Sequence, residues 1–330
     1  IRGFFVFFFI FFGQATTTTN LFLKMFRFSS GPTINIHFNN SDSRTKKEIK
    51  VNSNSSVGDT KEELLVYEGQ EAVAGTVEIL TNGKKVEHLG VKIEMIGLIE
   101  LYYDRGNAVK FTTLVRELEP AGVLTDNKNY PFEFSTEKPY ESYCGINVRL
   151  RYIIRVTITR NYNGSYTKEQ DILVENISAV TQSPAGGQDQ AAQPLKMEVG
   201  IEDCLHIEFE YDKHKYHLRD VVLGKVYFLL VRIKIKHMEL ALIRRESAGS
   251  GQNTYNESEN ITKFELMDGA PIKGEIIPIR LFLSPLPLTP THRSVNNTFS
   301  VKYYLNLVLI DEEDRRYFKQ QEIILWRKEM

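Results

Sequence analysis

The sequence predicts an all-β protein made of two antiparallel β-sandwich domains in tandem. Two observations lead to this fold class. Apolar and polar residues alternate with a period of two along most of the chain, which is typical of strands with one buried face. Short segments also recur in the same order in the two halves of the chain, which indicates a duplicated domain. The composition is that of a globular protein, since 42% of the residues are hydrophobic and 25% are charged.

The clearest strand pattern covers residues 148–158, where apolar residues at even positions alternate with mostly charged or hydroxylated ones. A strand of a parallel sheet would be apolar on both faces, so this pattern favours an antiparallel sheet with one exposed face. Similar patterns predict six further strands, at residues 34–38, 74–80, 90–103, 205–211, 224–243 and 301–310. One segment, residues 111–119, also fits one or two turns of helix.

Polar clusters predict the turns between these strands. Residues 81–84 (TNGK) carry Asn-Gly at their centre, which is a strong signal for a β-hairpin. Residues 104–107 (DRGN) and 311–316 (DEEDRR) are expected to form polar turns. A longer polar stretch, residues 247–262, has the composition of an exposed mobile loop that interrupts the second domain.

Three pairs of similar segments define the repeat. They are residues 73–77 with 222–226, 131–134 with 278–282, and 148–152 with 301–305. The offsets, 149, 147 and 153 residues, are nearly equal. Residues 178–194 are rich in Ser, Ala, Gln and Gly and show no period, as in a linker. We therefore expect a first sandwich over residues 33–178, a linker over 179–194 and a second sandwich over 195–330.

The amino-terminal segment, residues 1–32, is predicted to lie outside the folded domains. Residues 1–12 are a Phe-rich apolar run that resembles the core of a secretory signal, although roughly 20 residues are needed to span a bilayer. The sequence begins with isoleucine, and the strand pattern starts soon after Met25. We expect Met25 to be the initiator and residues 1–24 to be upstream translated sequence. A genuine secretory signal is the alternative.

Composition and motifs point away from catalysis and from nucleic acid. The formal net charge of −1 gives no broad basic surface for a nucleic acid. Two cysteines, Cys144 and Cys204, are too few for a disulfide framework. His214 and His217 alone approach metal-ligand spacing, and no P-loop, nucleophile elbow or zinc-protease motif is present. We expect a non-enzymatic interaction protein without a cofactor or a resident metal ion.

The most distinctive segments are residues 138–160, 196–243, 264–283 and 299–328. These segments resemble the vacuolar protein sorting protein 26 family, the arrestin-like subunit of the retromer complex. The resemblance implies two arrestin-type sandwiches, no catalysis, and membership of a coat that retrieves transmembrane cargo from endosomes. It also implies a cytoplasmic protein that associates peripherally with endosomal membranes.

The resemblance implies a docking site as well. In that family a loop of the C-terminal domain docks onto the α-solenoid subunit, vacuolar protein sorting protein 35. The matching residues here are Leu266, Met267, Asp268, Gly269, Ala270, Pro271 and Ile272. Leu266 and Met267 directly precede a turn-forming Asp-Gly, which suggests that both are exposed at a loop tip. The alternative is that both point into the core of the second domain.

Sorting nexins and the cytosolic tails of transmembrane cargo are further partners implied by the resemblance. Tyr67 and Glu68 lie in a region that some relatives use for a nexin adaptor. Two other functions stay open. One is an arrestin-like adaptor that works without retromer, although no Pro-Pro-x-Tyr motif appears. The other is a secreted adhesion or carbohydrate-binding sandwich, which the apolar amino end and the Asn-x-Ser/Thr sequons would fit.

Overall fold

Strands dominate the structure, a computed structural model that describes residues 31–51, 60–103, 108–161, 164–177, 194–201, 203–250 and 253–327. The strands of the first half are β1 Thr33–Phe38, β2 Lys46–Val51, β3 Thr60–Glu68, β4 Val73–Leu80, β5 Val86–Leu101, β6 Val109–Leu124, β7 Lys128–Phe134, β8 Tyr143–Cys144, β9 Val148–Thr159 and β10 Tyr166–Glu175. Those of the second half are β11 Leu195–Ile201, β12 Leu205–Tyr211, β13 Lys215–His217, β14 Val221–Val231, β15 Ile235–Ser250, β16 Asn253–Asp268, β17 Ile276–Phe282, β18 His292–Val295, β19 Phe299–Asp311 and β20 Arg316–Trp326.

Each half forms a sandwich of two sheets. The first domain has a three-stranded sheet in the order β1-β4-β7 and a seven-stranded sheet in the order β2-β3-β10-β9-β5-β6, with β8 also on β9. The second has a four-stranded sheet in the order β11-β12-β14-β17 and a six-stranded sheet in the order β13-β20-β19-β15-β16, with β18 also on β19. The prediction of two β-sandwich domains in tandem is therefore confirmed.

Apart from the edge strands β2 and β11, the two domains share one strand order, which agrees with the sequence repeat. The three repeated segments fall on β4 and β14, on β7 and β17, and on β9 and β19, and each pair of strands occupies the same place in its sheet. Both domains also contain one parallel pair, β3 with β10 and β13 with β20, among antiparallel neighbours. The boundary at residues 178–194 stays a prediction, because residues 178–193 lie outside the described residues, as do residues 1–30 with the predicted start at Met25.

The alternating residues form the core as the sequence predicts. On β9 the residues Val148, Leu150, Tyr152, Ile154, Val156 and Ile158 are all buried. Full burial of such a side chain contributes about 1.5–3 kcal/mol to the stability of the fold. A single cluster of buried apolar side chains runs through both sandwiches, so the two cores are continuous.

The turn at residues 81–84 is a tight turn but not the predicted hairpin. Asn82 and Gly83 both have positive φ, 54° and 74°, and the Lys84 amide donates to the Thr81 carbonyl at 3.1 Å. Asn and Gly tolerate this backbone conformation best, which explains the sequence signal. The strands on either side, β4 and β5, belong to different sheets, so the turn carries the chain from one sheet to the other.

One alternative and one expectation about local structure are wrong. Residues 111–119 lie in β6, because pairing with β5 along nearly its whole length overrides their helical tendency. Residues 247–250 and 253–262, expected as a mobile loop, continue the hairpin of β15 and β16. Their backbone groups are paired across the hairpin, so polar composition alone did not indicate a loop.

The predicted turn at residues 311–316 is present between β19 and β20. Asp311 organises this turn rather than being solvated, since its carboxylate accepts hydrogen bonds from the Glu313 and Arg315 amides, the Arg315 guanidinium and the Tyr317 hydroxyl. Burial alone would raise the pKa of the Asp311 carboxyl, but these bonds outweigh it and lower the pKa to about 2. The other predicted turn, residues 104–107, lies outside the described residues.

Candidate functional site

The predicted docking segment, residues 266–272, begins inside a strand and not at a loop tip. Leu266, Met267 and Asp268 are the last residues of β16, and Met267 pairs with the buried Met238 of β15. Leu266 and Met267 are half-buried and pack against the core cluster. The loop-tip expectation is therefore wrong, because pairing with β15 extends the strand through Asp268.

The rest of the segment connects the six-stranded sheet to the four-stranded sheet. Gly269 takes a φ of 115°, a value that L side chains rarely adopt, and its amide donates to the Lys236 carbonyl at 2.8 Å. Pro271 is buried, whereas the side chain of Ile272 is 72% exposed. The Ile272 amide donates to the Glu275 carboxylate at 2.9 Å, which fixes the backbone at this point. The segment thus presents one large apolar side chain from an ordered turn.

Tyr67 and Glu68 differ in accessibility. Tyr67 is only 1% exposed; its ring lies 3.9 Å from the Arg44 guanidinium and meets Phe38 edge-on. Burial raises the pKa of the Tyr67 hydroxyl. Because the ring is enclosed, a contact between the Tyr67 side chain and a partner is not supported by its position. Glu68 is exposed, so its contact stays a prediction.

A buried carboxylate joins the two domains, and sequence reasoning missed it. Glu246 of β15 is 2% exposed and accepts hydrogen bonds from the Tyr143 hydroxyl at 2.8 Å, the Ile146 amide at 3.1 Å and the Asn147 amide at 2.6 Å. Burial raises the pKa of the Glu246 carboxyl. A Cβ atom on Gly145 would overlap this carboxylate and crowd the Tyr143 ring, so glycine is the residue that fits there.

A second polar contact lies between the domains beside the first. The Arg327 guanidinium donates to both oxygens of the buried Glu141 carboxylate, at 2.6 Å and 3.2 Å. The same guanidinium lies 3.5 Å from Glu175. Burial raises the pKa of the Glu141 carboxyl, and Arg327 opposes this shift. These residues are far apart in sequence, so no local pattern could have indicated the contact.

These contacts border a groove of about 700 Å³ between the domains. Charged side chains line much of it, and several of them form ion pairs. Arg244 lies 2.5 Å from Glu259, and Arg149 lies 2.9 Å from Asp171. Ion pairs therefore neutralise several of the charges along the described part of the groove.

His292 lies in the same interface in an apolar setting. Its ring contacts Tyr143 and Phe299, and its Nε2 atom has no hydrogen-bond partner. Burial lowers the pKa of His292 to about 4. The neutral imidazole is therefore the form that the fold accommodates.

This burial predicts an acid-sensitive interface. The unfolded chain takes up the His292 proton near pH 6.5, whereas the folded chain resists protonation until about pH 4. The stability contribution of neutral His292 is complete above pH 6.5 and is lost as the pH falls from there to pH 4. At pH 5 the loss is about 2 kcal/mol. Urea unfolding at pH 7.5 and pH 5 should show that loss in the native chain and not in His292→Leu; an equal pH dependence in both would contradict it.

No helix among the described residues has the length and apolar character needed to cross a bilayer.

Comparison with known proteins identifies the family. Residues 29–314 match the family model described as Vacuolar protein sorting-associated protein 26. The chain is 55% identical over 309 residues to Vacuolar protein sorting-associated protein 26 of Dictyostelium discoideum, covering 93% of this chain and 85% of the relative. It is 56% identical over 298 residues to protein 26B of Arabidopsis thaliana, covering 90% and 95%, and 52% identical over 309 residues to the human protein 26B, covering 93% and 88%. The match spans both sandwich domains, so the chain belongs to the vacuolar protein sorting-associated protein 26 family.

Proposed function

We propose that this chain is a non-enzymatic scaffold subunit of the retromer coat, with a role in retrieving transmembrane cargo from endosomes. It docks on the α-solenoid subunit, vacuolar protein sorting protein 35, through the docking segment at residues 266–272. Family membership across both domains supports the role in vacuolar protein sorting. The observation that carries the docking assignment is the exposed side chain of Ile272 on a turn with a fixed backbone.

Ile272 combines an exposed side chain with a backbone that is already fixed, and both properties favour docking. An isolated apolar side chain on a mobile loop loses conformational entropy when a partner immobilises it. The backbone at Ile272 is already held by the Glu275 carboxylate and, at Gly269, by the Lys236 carbonyl. Ile276, the first residue of β17, is also exposed and follows closely in sequence. A pocket on the partner can therefore take up these side chains at little ordering cost.

The first domain is proposed to meet sorting nexins and the cytosolic tails of cargo. Glu68 offers an exposed carboxylate at the end of β3, which suits a basic group on a nexin adaptor. Tyr67 supports this region from within, since its ring lies beneath the Arg44 guanidinium, which in turn pairs with Glu71 at 2.5 Å. The chain is thus proposed to work in the cytoplasm, held on endosomal membranes through the assembled coat.

The docking assignment is tested by replacing Ile272 with aspartate. A charge placed in an apolar pocket of the partner loses its hydration without compensation, so affinity should fall at least tenfold. The stability of the chain should not change, because the side chain is exposed. Calorimetric titration with the purified solenoid subunit measures the affinity, and thermal unfolding of the variant alone measures the stability.

Leu89→Asp provides the matched control. Leu89 is a half-exposed apolar residue on β5 of the first domain, far in sequence from the docking segment. The Leu89→Asp variant should bind the solenoid subunit with the affinity of the native chain. If the Ile272→Asp variant keeps the native affinity, or if both variants lose the same affinity, Ile272 does not dock the solenoid subunit.

A further inference from the structure

Three metal-ligating side chains converge where β15 and β16 pair. They are His237 on β15 and Glu265 and Asp268 on β16, and their ligand atoms all lie within 4.8 Å of one another. His237 is half-buried, and the two carboxylates are exposed. None of the three belongs to the His214–His217 segment, the histidine pair that the sequence singled out. An imidazole nitrogen between two carboxylates is a donor set that divalent transition metals favour.

A β-bulge creates this convergence. In the hairpin His237 pairs with Asp268 and Glu239 pairs with Glu265, so Leu266 is an extra residue on β16. Successive side chains of a regular strand alternate between faces, and residues three apart would point to opposite faces. The extra residue reverses that alternation and places Glu265 and Asp268 on the face that carries His237. Bulges of this kind re-aim side chains at functional sites.

The surroundings favour a cation and place a carboxylate near each nitrogen of the imidazole. Nδ1 of His237 lies 4.0 Å from the Glu265 carboxylate, while Nε2 lies 3.8 Å from the Glu239 carboxylate on the other side of the ring. A carboxylate behind a ligating histidine is the usual way in which proteins orient the ring toward a metal. Glu239, Glu265 and Asp268 bring three negative charges together, and Lys263, 3.6 Å from Glu239, balances one of them.

We propose that His237, Glu265 and Asp268 bind one divalent transition-metal ion of the zinc class, with Glu239 orienting the imidazole. Ligand atoms around tetrahedral zinc lie about 3.4 Å apart, given metal–ligand distances of about 2.0–2.2 Å. The ligand atoms of the three residues now lie within 4.8 Å of one another. Rotation of the exposed side chains, among them Glu265 at 58% exposed, brings them to the shorter distance. Water completes the coordination. Magnesium is disfavoured because it prefers oxygen ligands and holds its water.

Metal binding is measured on the full chain alone, so the outcome does not depend on the docking assignment. The chain is stripped with a chelator and titrated with ZnCl₂ in a calorimeter, with MgCl₂ as the second arm and CoCl₂ absorption as a report on geometry. We expect one saturable zinc site per chain and no comparable magnesium binding. His237→Gln and Asp268→Asn should each weaken zinc binding at least tenfold while leaving the circular dichroism of the metal-free chain unchanged.

His206→Gln is the matched control. His206 on β12 also faces a carboxylate, Glu208 at 3.6 Å, but lies outside the three-residue cluster. Its replacement should leave the zinc affinity unchanged. The proposal is overturned by the absence of a saturable zinc site, by native affinity in His237→Gln, which would place the ion on other histidines, or by equal binding of Mg²⁺ and Zn²⁺, which would exclude imidazole ligation.

Discussion

Replacement of Glu246 by leucine should destabilise the contact between the two domains by about 3 kcal/mol. The Tyr143 hydroxyl and the Ile146 and Asn147 amides all donate to this carboxylate. Leucine leaves these three donors without this acceptor, and a buried donor without a partner costs about 1–3 kcal/mol. The Tyr143 hydroxyl bond is buried, whereas the two amide bonds are partly buried. Removal of the desolvated carboxylate offsets part of that loss. Urea unfolding at neutral pH, followed by tyrosine fluorescence, measures the net effect.

Two further variants show whether the buried hydrogen bonds are responsible. Glu246→Gln keeps one acceptor oxygen and should lose less stability than the leucine variant. Glu257 pairs with Glu246 across the β15–β16 hairpin but is exposed, so Glu257→Leu should change stability little. If Glu257→Leu is as destabilising as Glu246→Leu, the effect comes from the hairpin strands and not from the contact between domains.

The fold was predictable because apolar and polar residues alternate along the strands of both sandwiches, and this pattern can be read from the local sequence. Alternation of apolar and polar residues along β9 identifies its buried face. The similarity between residues 148–152 and 301–305 identifies β19 as the counterpart of β9 in the second domain. The partners of a strand are not a local property. Asn82-Gly83 therefore indicated a tight turn correctly, while the sequence could not show that the flanking strands enter different sheets. The same limit applies to residues 111–119, whose strand state comes from pairing with β5.

The geometry of the candidate site could not be predicted from the sequence. The resemblance predicts docking at residues 266–272, and that location stays a prediction. The extra residue Leu266 in the hairpin decides which of these side chains face outward. A bulge has no reliable sequence signature in a polar strand, so neither the half-burial of Met267 nor the approach of Asp268 to His237 followed from the sequence. The bonds to Glu246 depend on residues about a hundred positions away.

Replacement of Leu266 by aspartate together with Met267 by asparagine should weaken binding to the solenoid subunit by a hundredfold or more. Each change puts a polar group where the proposed interface is apolar, and burying that group without a partner costs about 1–3 kcal/mol of binding free energy or more. Each 1.4 kcal/mol corresponds to a tenfold change in affinity. Both residues are half-buried against the core cluster, so the variant should also lose about 2–4 kcal/mol of stability. Calorimetric binding well below the melting temperature and thermal unfolding of the variant measure the two losses.

A destabilised variant with an intact surface separates the two losses. Met238 is fully buried on β15 opposite Met267, and Met238→Ala should lose about 2–5 kcal/mol of stability by leaving a cavity. It changes no exposed side chain, so at low temperature it should bind the solenoid subunit within a few-fold of the native chain. A hundredfold loss in Met238→Ala would mean that unfolding near the bulge accounts for the double variant. Native affinity in the double variant would move the proposed docking surface away from Leu266 and Met267, because an apolar interface cannot accept a buried aspartate without cost.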